Sequence, residues 1–163
     1  VAGYLRAGEY SFVPRLRTDS NDGSNTTYSV AAGYLYMVGD LVYVNADMRI
    51  TNPGNLDSTP FDERLYMTFT DLQVGITLAE LEAYTPGIQG QTVGMLYDYD
   101  LLKGTASGVP DGGLCAYIEN GETVIRFNQP HRTQGGTMVF VVGNAIESGS
   151  QLRFSGVYRR APA

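Results

Sequence analysis

Tyr97-Asp98-Tyr99-Asp100 is the stretch of this 163-residue chain whose residue types and spacing come nearest to chemistry. In an extended strand, alternation places Tyr97 with Tyr99 on one face and Asp98 with Asp100 on the other. Each face has two readings. The phenols form a platform on which the C–H face of a sugar packs, with their hydroxyls as polar handles, or they are ordinary core residues of a strand. The carboxylates accept hydrogen bonds from ligand hydroxyls, or they are solvated surface acids. As a pair they also stand near the spacing for glycoside hydrolysis, which needs two carboxyls about 5–10 Å apart across a cleft. An exposed strand excludes no water, and no other residue supports that chemistry. Binding therefore ranks above hydrolysis.

Other residues carry weaker signals. His131-Arg132 follows Pro130 and precedes Thr133-Gln134-Gly135-Gly136, a loop whose donors would reach an anionic sugar. His131 is the only histidine, so a multi-histidine metal site is excluded. Cys115 and His131 are formally a nucleophile and base, yet neither an orienting group nor an oxyanion hole is in evidence. Leu114, Ala116 and Ile118 around Cys115 read as a buried strand thiol. Asp19-Ser20-Asn21-Asp22-Gly23-Ser24-Asn25 has the oxygen-rich look of a calcium loop. Its glycine falls at the fifth position and no closing Glu follows, so a flexible polar turn is the simpler reading. Arg15 with Arg17, and Arg159 with Arg160, are short basic patches that charge protection of an edge strand would explain. Tyr84 adds a ring in the Ala83–Gln91 loop. No metal or cofactor is expected.

Composition narrows the classes. Apolar residues make up 43% of the chain and charged residues 17%. The charged share lies below the roughly 25% of a typical soluble domain, so the polar surface rests mainly on Ser, Thr, Asn, Gln and Tyr. Such hydroxyls and amides suit neutral ligands. The net charge of −6 and the lack of a basic cluster argue against nucleic acid. No apolar run approaches the ~18 residues of a membrane span, and no signal-peptide pattern is present. A single cysteine permits no internal disulfide. A chain that opens on Val1 is expected to be part of a longer one.

The elements that must position these residues read as strands. Twenty glycines punctuate short segments rich in Val, Tyr, Ile, Phe and Thr. Leu41 to Ile50 is the clearest: Val42, Val44, Ala46, Met48 and Ile50 alternate with Tyr43, Asn45, Asp47 and Arg49. Gly39-Asp40 predicts a tight hairpin back to Tyr34–Val38, and Asn120-Gly121 predicts another. Tyr10–Leu16, Leu65–Leu72, Thr92–Leu101, Gly113–Ile118, Thr123–Phe127, Thr137–Val142 and Leu152–Tyr158 are also expected to be extended. Thr77-Leu78-Ala79-Glu80 is a capping-box pattern that predicts about two turns of helix. The expected fold is one all-β domain over residues 1–163, an antiparallel sandwich of jelly-roll type with one short helix.

Three pieces of the chain resemble the distal modules of bacteriophage tail fibres and tailspikes. They are Gly8-Glu9-Tyr10-Ser11-Phe12-Val13-Pro14, the hairpin from Gly33 through Gly39-Asp40 to Val44, and Leu152-Arg153-Phe154-Ser155-Gly156-Val157-Tyr158. In the hairpin, the aromatic of the pattern is displaced from Leu35 to Tyr34 and Tyr36, which changes the face it occupies. The resemblance implies a homotrimer at the tip of a virion fibre, outside the cell, contacting a bacterial surface polysaccharide or lipopolysaccharide without catalysis. A structural trimerisation cap and a glycan-cleaving enzyme are the rival expectations. Tyr and Met on an outer strand face would suit a subunit interface. The loops Asp19–Thr26, Asn52–Glu63, Ala83–Gln91 and Gln129–Gly136 are the expected ligand loops. Weak single-site affinity would be raised by several copies acting together.

Overall fold

The computed structural model describes residues 7–58, 63–100, 114–130, 138–140 and 146–162; of 57–58, 97–100, 129–130 and 138–140 it describes the backbone alone. Nine strands run through these residues: β1 (Ala7–Arg17), β2 (Thr27–Val38), β3 (Leu41–Asn52), β4 (Tyr66–Thr70), β5 (Gly90–Asp100), β6 (Cys115–Glu119), β7 (Val124–Pro130), β8 (Met138–Phe140) and β9 (Gln151–Arg159). Every strand foreseen from alternation and turn signals is among them. β2 is the largest surprise, since it begins at Thr27, well before Tyr34.

The order is β4-β1-β2-β3-β9-β5-β6-β7, and β7 pairs back onto β4. Eight antiparallel strands thus close into a barrel, with β8 added beside β7. This overturns the expected jelly-roll sandwich. Two strands change partners along their length. β1 pairs with β2 from Ala7 to Phe12 and with β4 from Val13 to Arg17. β5 pairs with β6 from Gly90 to Met95 and with β9 from Leu96 to Asp100. Pro14, which has no N–H to give, sits just past the first switch. Register shifts at Thr92/Gly94 and Leu96/Asp98 bend β5 at the second. β1 stands between β4 and β2 in the strand order, with Arg15 and Arg17 on the stretch that pairs with β4. Arg160 is buried, its Nε donating to the Gly39 carbonyl at 2.9 Å.

The expected two-turn helix is also overturned. Leu78–Leu81 forms a single 3-10 turn. The Thr77 hydroxyl bonds the Glu80 carboxylate at 3.2 Å rather than capping a backbone N–H. Glu82 is already extended. The next residues are drawn into strand-like pairing, Ala83 N donating to Glu122 O and Tyr84 N to Arg159 O. That pairing competes with the second turn and wins.

Alternation holds where it was clearest. Val42, Val44, Ala46, Met48 and Ile50 all point inward, and the barrel is filled by such residues. Phe127 and Phe154 meet edge-on with centroids 6.0 Å apart, and Phe12 meets Phe69 at 4.9 Å. The Gly39-Asp40 hairpin is present, with Val38 opposite Leu41 and Gly39 at φ 59°, as a two-residue turn led by glycine requires.

Tyr158 is the largest buried side chain with a polar atom, and its hydroxyl donates to the Leu81 carbonyl at 2.7 Å. Burial pushes its phenol far above the ordinary value, and burial raises Tyr28, Tyr66 and Tyr117 as well. A raised folded pKa gives stability that is whole below the unfolded value of about 10 and is lost as pH climbs beyond it. Urea melts should therefore change little between about pH 7 and 9 and fall steeply above about pH 10. In Tyr158→Phe that alkaline fall should be shallower. An unchanged slope in the variant would refute a buried, protonated phenol at this position.

Candidate functional site

The half of each strand that alternation turns outward makes a continuous surface on β2, β3 and β9. Register sets Tyr36 beside Tyr43 beside Val157, then Tyr34 beside Asn45 beside Ser155, then Ala32 beside Asp47 beside Arg153. Tyr34, Tyr36 and Tyr43 are 39%, 39% and 41% exposed, and the rings of Tyr36 and Tyr43 lie 6.1 Å apart. Val38, Leu41 and Val157 are exposed around them. The face thus runs from apolar at the Gly39-Asp40 turn to polar at the opposite end. Exposed apolar residues grouped in this way mark contact surfaces more often than isolated ones do.

A hollow of about 230 Å³ opens at the polar end, lined by Ala32, Gly33, Tyr34, Asn45, Ala46 and Asp47. It exists because Ala32 is small between larger neighbours. Asn45 accepts the Ser155 hydroxyl through Oδ1 at 2.6 Å, which leaves its amide N–H groups to donate. Asp47 is clasped by Arg49 Nη2 at 3.4 Å and by Arg153 Nε at 3.5 Å. The neighbouring Glu9 carboxylate raises the Tyr34 phenol above its ordinary pKa. The result is one aromatic ring beside a fixed carboxylate, an amide and a hydroxyl. Such a set can stack on the apolar face of a ring and hydrogen-bond its hydroxyls.

The sequence-predicted residues fall in several places. Tyr84 is half-buried beyond the turn end of this face, under the Arg159 guanidinium at 5.4 Å, and Arg159 also bonds Asp40 at 3.0 Å. Tyr97, Asp98, Tyr99 and Asp100 lie on β5, where only the backbone is described. The register shift falls at Tyr97 and interrupts alternation there; beyond it Asp98, Tyr99 and Asp100 pair with Arg153, Leu152 and Gln151. Register thereby places Asp98 in the row of Ala32, Asp47 and Arg153, beside the hollow. His131 and Arg132 lie outside the described residues, as does most of the Gln129–Gly136 loop.

Cys115 is buried, and burial pushes its thiol pKa up, as for an inert structural cysteine. Among the described residues no cluster of His, Cys, Asp and Glu could hold a metal. The Asp19–Asn25 segment is a pinned turn, with Thr18 N donating to Asn21 O, Ser24 N to Asp22 Oδ1, and Ser20 Oγ bonded to Glu63.

Asn45, Asp47 and Ser155 were not singled out as ligand residues from the sequence; Tyr43 figured only as an outward position, and Tyr34 and Tyr36 only as displaced aromatics of the hairpin. Their signal was the polar half of the strand alternation, which names a face and leaves its neighbours unknown. Comparison of the chain with models of protein families, with curated proteins and with solved structures gives no match.

Proposed function

We propose that this domain is a non-catalytic recognition module that binds a bacterial surface glycan at the distal end of a phage tail fibre or spike. The observation that carries the reading is the Tyr34 hollow, a ring set beside Asn45, Ser155 and Asp47 on a rigid sheet. The likeness of three chain segments to fibre-tip modules points the same way. Asp47 is already engaged by two guanidiniums, an arrangement suited to accepting ligand hydroxyls rather than moving protons. A site on strands is held more firmly than one on loops, which suits weak but repeated contacts.

The test is a screen of the labelled domain on immobilised bacterial polysaccharides and lipopolysaccharides. Glycans retained by the parent protein should be bound about tenfold more weakly by Tyr34→Ala, the equivalent of about 1.4 kcal/mol, with the thermal midpoint unchanged. Retention of no glycan, or equal binding by the variant, would count against the reading.

A second reading has its own observation. The apolar end of the face, Tyr36, Val38, Leu41, Tyr43 and Val157, is suited to burial against further copies of the chain in a homotrimer. A domain whose outer face serves only that end would be a structural cap. Light scattering on the purified domain tests the assembly, and a cap would assemble while binding no glycan.

A further inference from the structure

The outer surface of β1 and β4 carries a second depression, separate from the Tyr34 hollow. It is a cleft of about 420 Å³ whose lining includes Arg15, Arg17, Asp22, Ser24, Thr68 and Thr70. Arg15 and Arg17 stand two residues apart on β1, so both project from the same outward face. Thr68 of β4 is the register partner of Arg15. The β1–β2 loop forms the far wall. It is fixed there by Gly23, whose backbone (φ 65°) lies so close to the Leu16 carbonyl oxygen that a side chain would collide with it. Thr26 Oγ1 donating to Pro53 O at 2.8 Å and Asn55 N donating to Asn25 Oδ1 at 2.7 Å fix it further.

These two arginines differ from the other described cations. Arg49 and Arg153 meet Asp47, Arg64 meets Glu119, Arg126 meets Glu122, Arg159 meets Asp40, and Arg160 is spent on carbonyls. Arg15 and Arg17 instead lie over the rings of Tyr28 and Tyr66, at 4.9 and 5.9 Å. Among the described residues no carboxylate comes within ion-pair distance of either, and Asp22 of the same cleft feels the Arg17 charge only from farther away. Arg17 Nε is also shut off from solvent with no acceptor among the described residues. A buried donor without a partner is uncommon and costly. The rings pack beside the two guanidinium groups, and a guanidinium edge matches two oxygens of one oxyanion.

We propose that this cleft is a binding site for an acidic saccharide unit, whose carboxylate or phosphate group is gripped by Arg15 and Arg17. Asp22 decides the class of ligand. The Ser24 N–H bonds its carboxylate and keeps it ionised, so the cleft holds an acid that repels a bare anion and accepts hydroxyl groups. Ser24 stands beside it to do the same. An anion that also carries hydroxyls satisfies both walls at once. The inference goes beyond the glycan reading of the outer face and stands without it.

The experiment follows the arginine side-chain N–H resonances of the labelled protein while sodium glucuronate, glucose-6-phosphate, inorganic phosphate or neutral glucose is added at matched ionic strength. Glucuronate and glucose-6-phosphate should shift the Arg17 resonance, glucose should not, and phosphate should bind at least tenfold more weakly than glucose-6-phosphate. Read instead from the backbone amides of Ser24 and Thr68 in the cleft lining, Arg15→Gln/Arg17→Gln should abolish the response; Arg15→Lys/Arg17→Lys, which keeps the charge, should retain a weakened one. Asp22→Asn should narrow the gap between phosphate and glucose-6-phosphate. Tyr34→Ala should leave every response in place, which separates failure here from failure of the glycan site. No shift of Arg17 with either acid sugar, an equal shift with glucose, or a response to phosphate alone would overturn the proposal.

Discussion

Phe154→Ala is expected to lower the stability of the domain by about 3–5 kcal/mol. Phe154 is fully buried on the inward face of β9, with Ala46 opposite it on β3 and Leu96 opposite it on β5. Its ring meets Phe127 of β7 edge-on, so it joins two walls of the barrel that are not neighbours in the strand order. Truncation removes the transfer free energy of the ring and leaves a cavity that a closed barrel cannot collapse to fill. For a chain of this size each kcal/mol shifts the midpoint by roughly 2–4 °C, so the melt should fall by roughly 6–20 °C. Urea unfolding followed by circular dichroism measures this directly, and the slope should stay unchanged. A loss below about 1.5 kcal/mol, less than full burial of one such side chain contributes, would mean that the two walls do not meet at this ring.

Gly156→Ala should cost about 3 kcal/mol, the upper end of the usual range for overpacking. The backbones of β5 and β9 approach so closely that a Cβ on Gly156 would run into the Val93 carbonyl oxygen, and one on Gly94 into that of Ser155. Both obstacles are main chain, so no rotamer change relieves them. The strands must part at the point where β5 leaves β6 for β9, and amide exchange across Leu96–Asp100 should quicken with the loss of stability. Gly121→Ala is the control. Its surroundings are open, but its φ is 81°, so it pays only backbone strain of roughly 1–2 kcal/mol. If Gly156→Ala proves no costlier than Gly121→Ala, the close approach of the two strands is not there.

Strand positions were legible because period-two alternation is a local property, set by which residues must leave water. Leu41 to Ile50 shows it best: the inward set read from the sequence is the buried set in the barrel. The two-turn helix failed for a non-local reason. Thr77 to Glu80 has the right local chemistry, but Ala83 and Tyr84 are claimed by Glu122 and Arg159, residues far along the chain. Closure failed to show for the same reason. Nothing near Val13 or Leu96 announces that a strand will exchange one partner for another there.

The candidate sites divide the same way. The sequence showed that Tyr43, Asn45, Asp47 and Arg49 face outward, and it drew attention to Tyr34 and Tyr36 as displaced aromatics. It did not show that Ser155 would bond Asn45 across 110 positions of chain, or that Arg153 would join Arg49 at Asp47. Arg15 and Arg17 read as a guard on an open edge. In the barrel the pair lines a cleft between β1, β4 and the β1–β2 loop.

By itself, the order of residues determined an all-β chain, the core of each strand, its Gly39-Asp40 turn and the faces taken from Leu41 to Ile50. These follow from steric limits on the backbone and from the expulsion of apolar groups by water, both of which act between near neighbours. Only the tertiary structure decided that the sheet closes, which outward residues share a row, and which arginines stand over rings. Those outcomes depend on pairings between distant segments, whose free energies are settled by the whole assembly of strands at once.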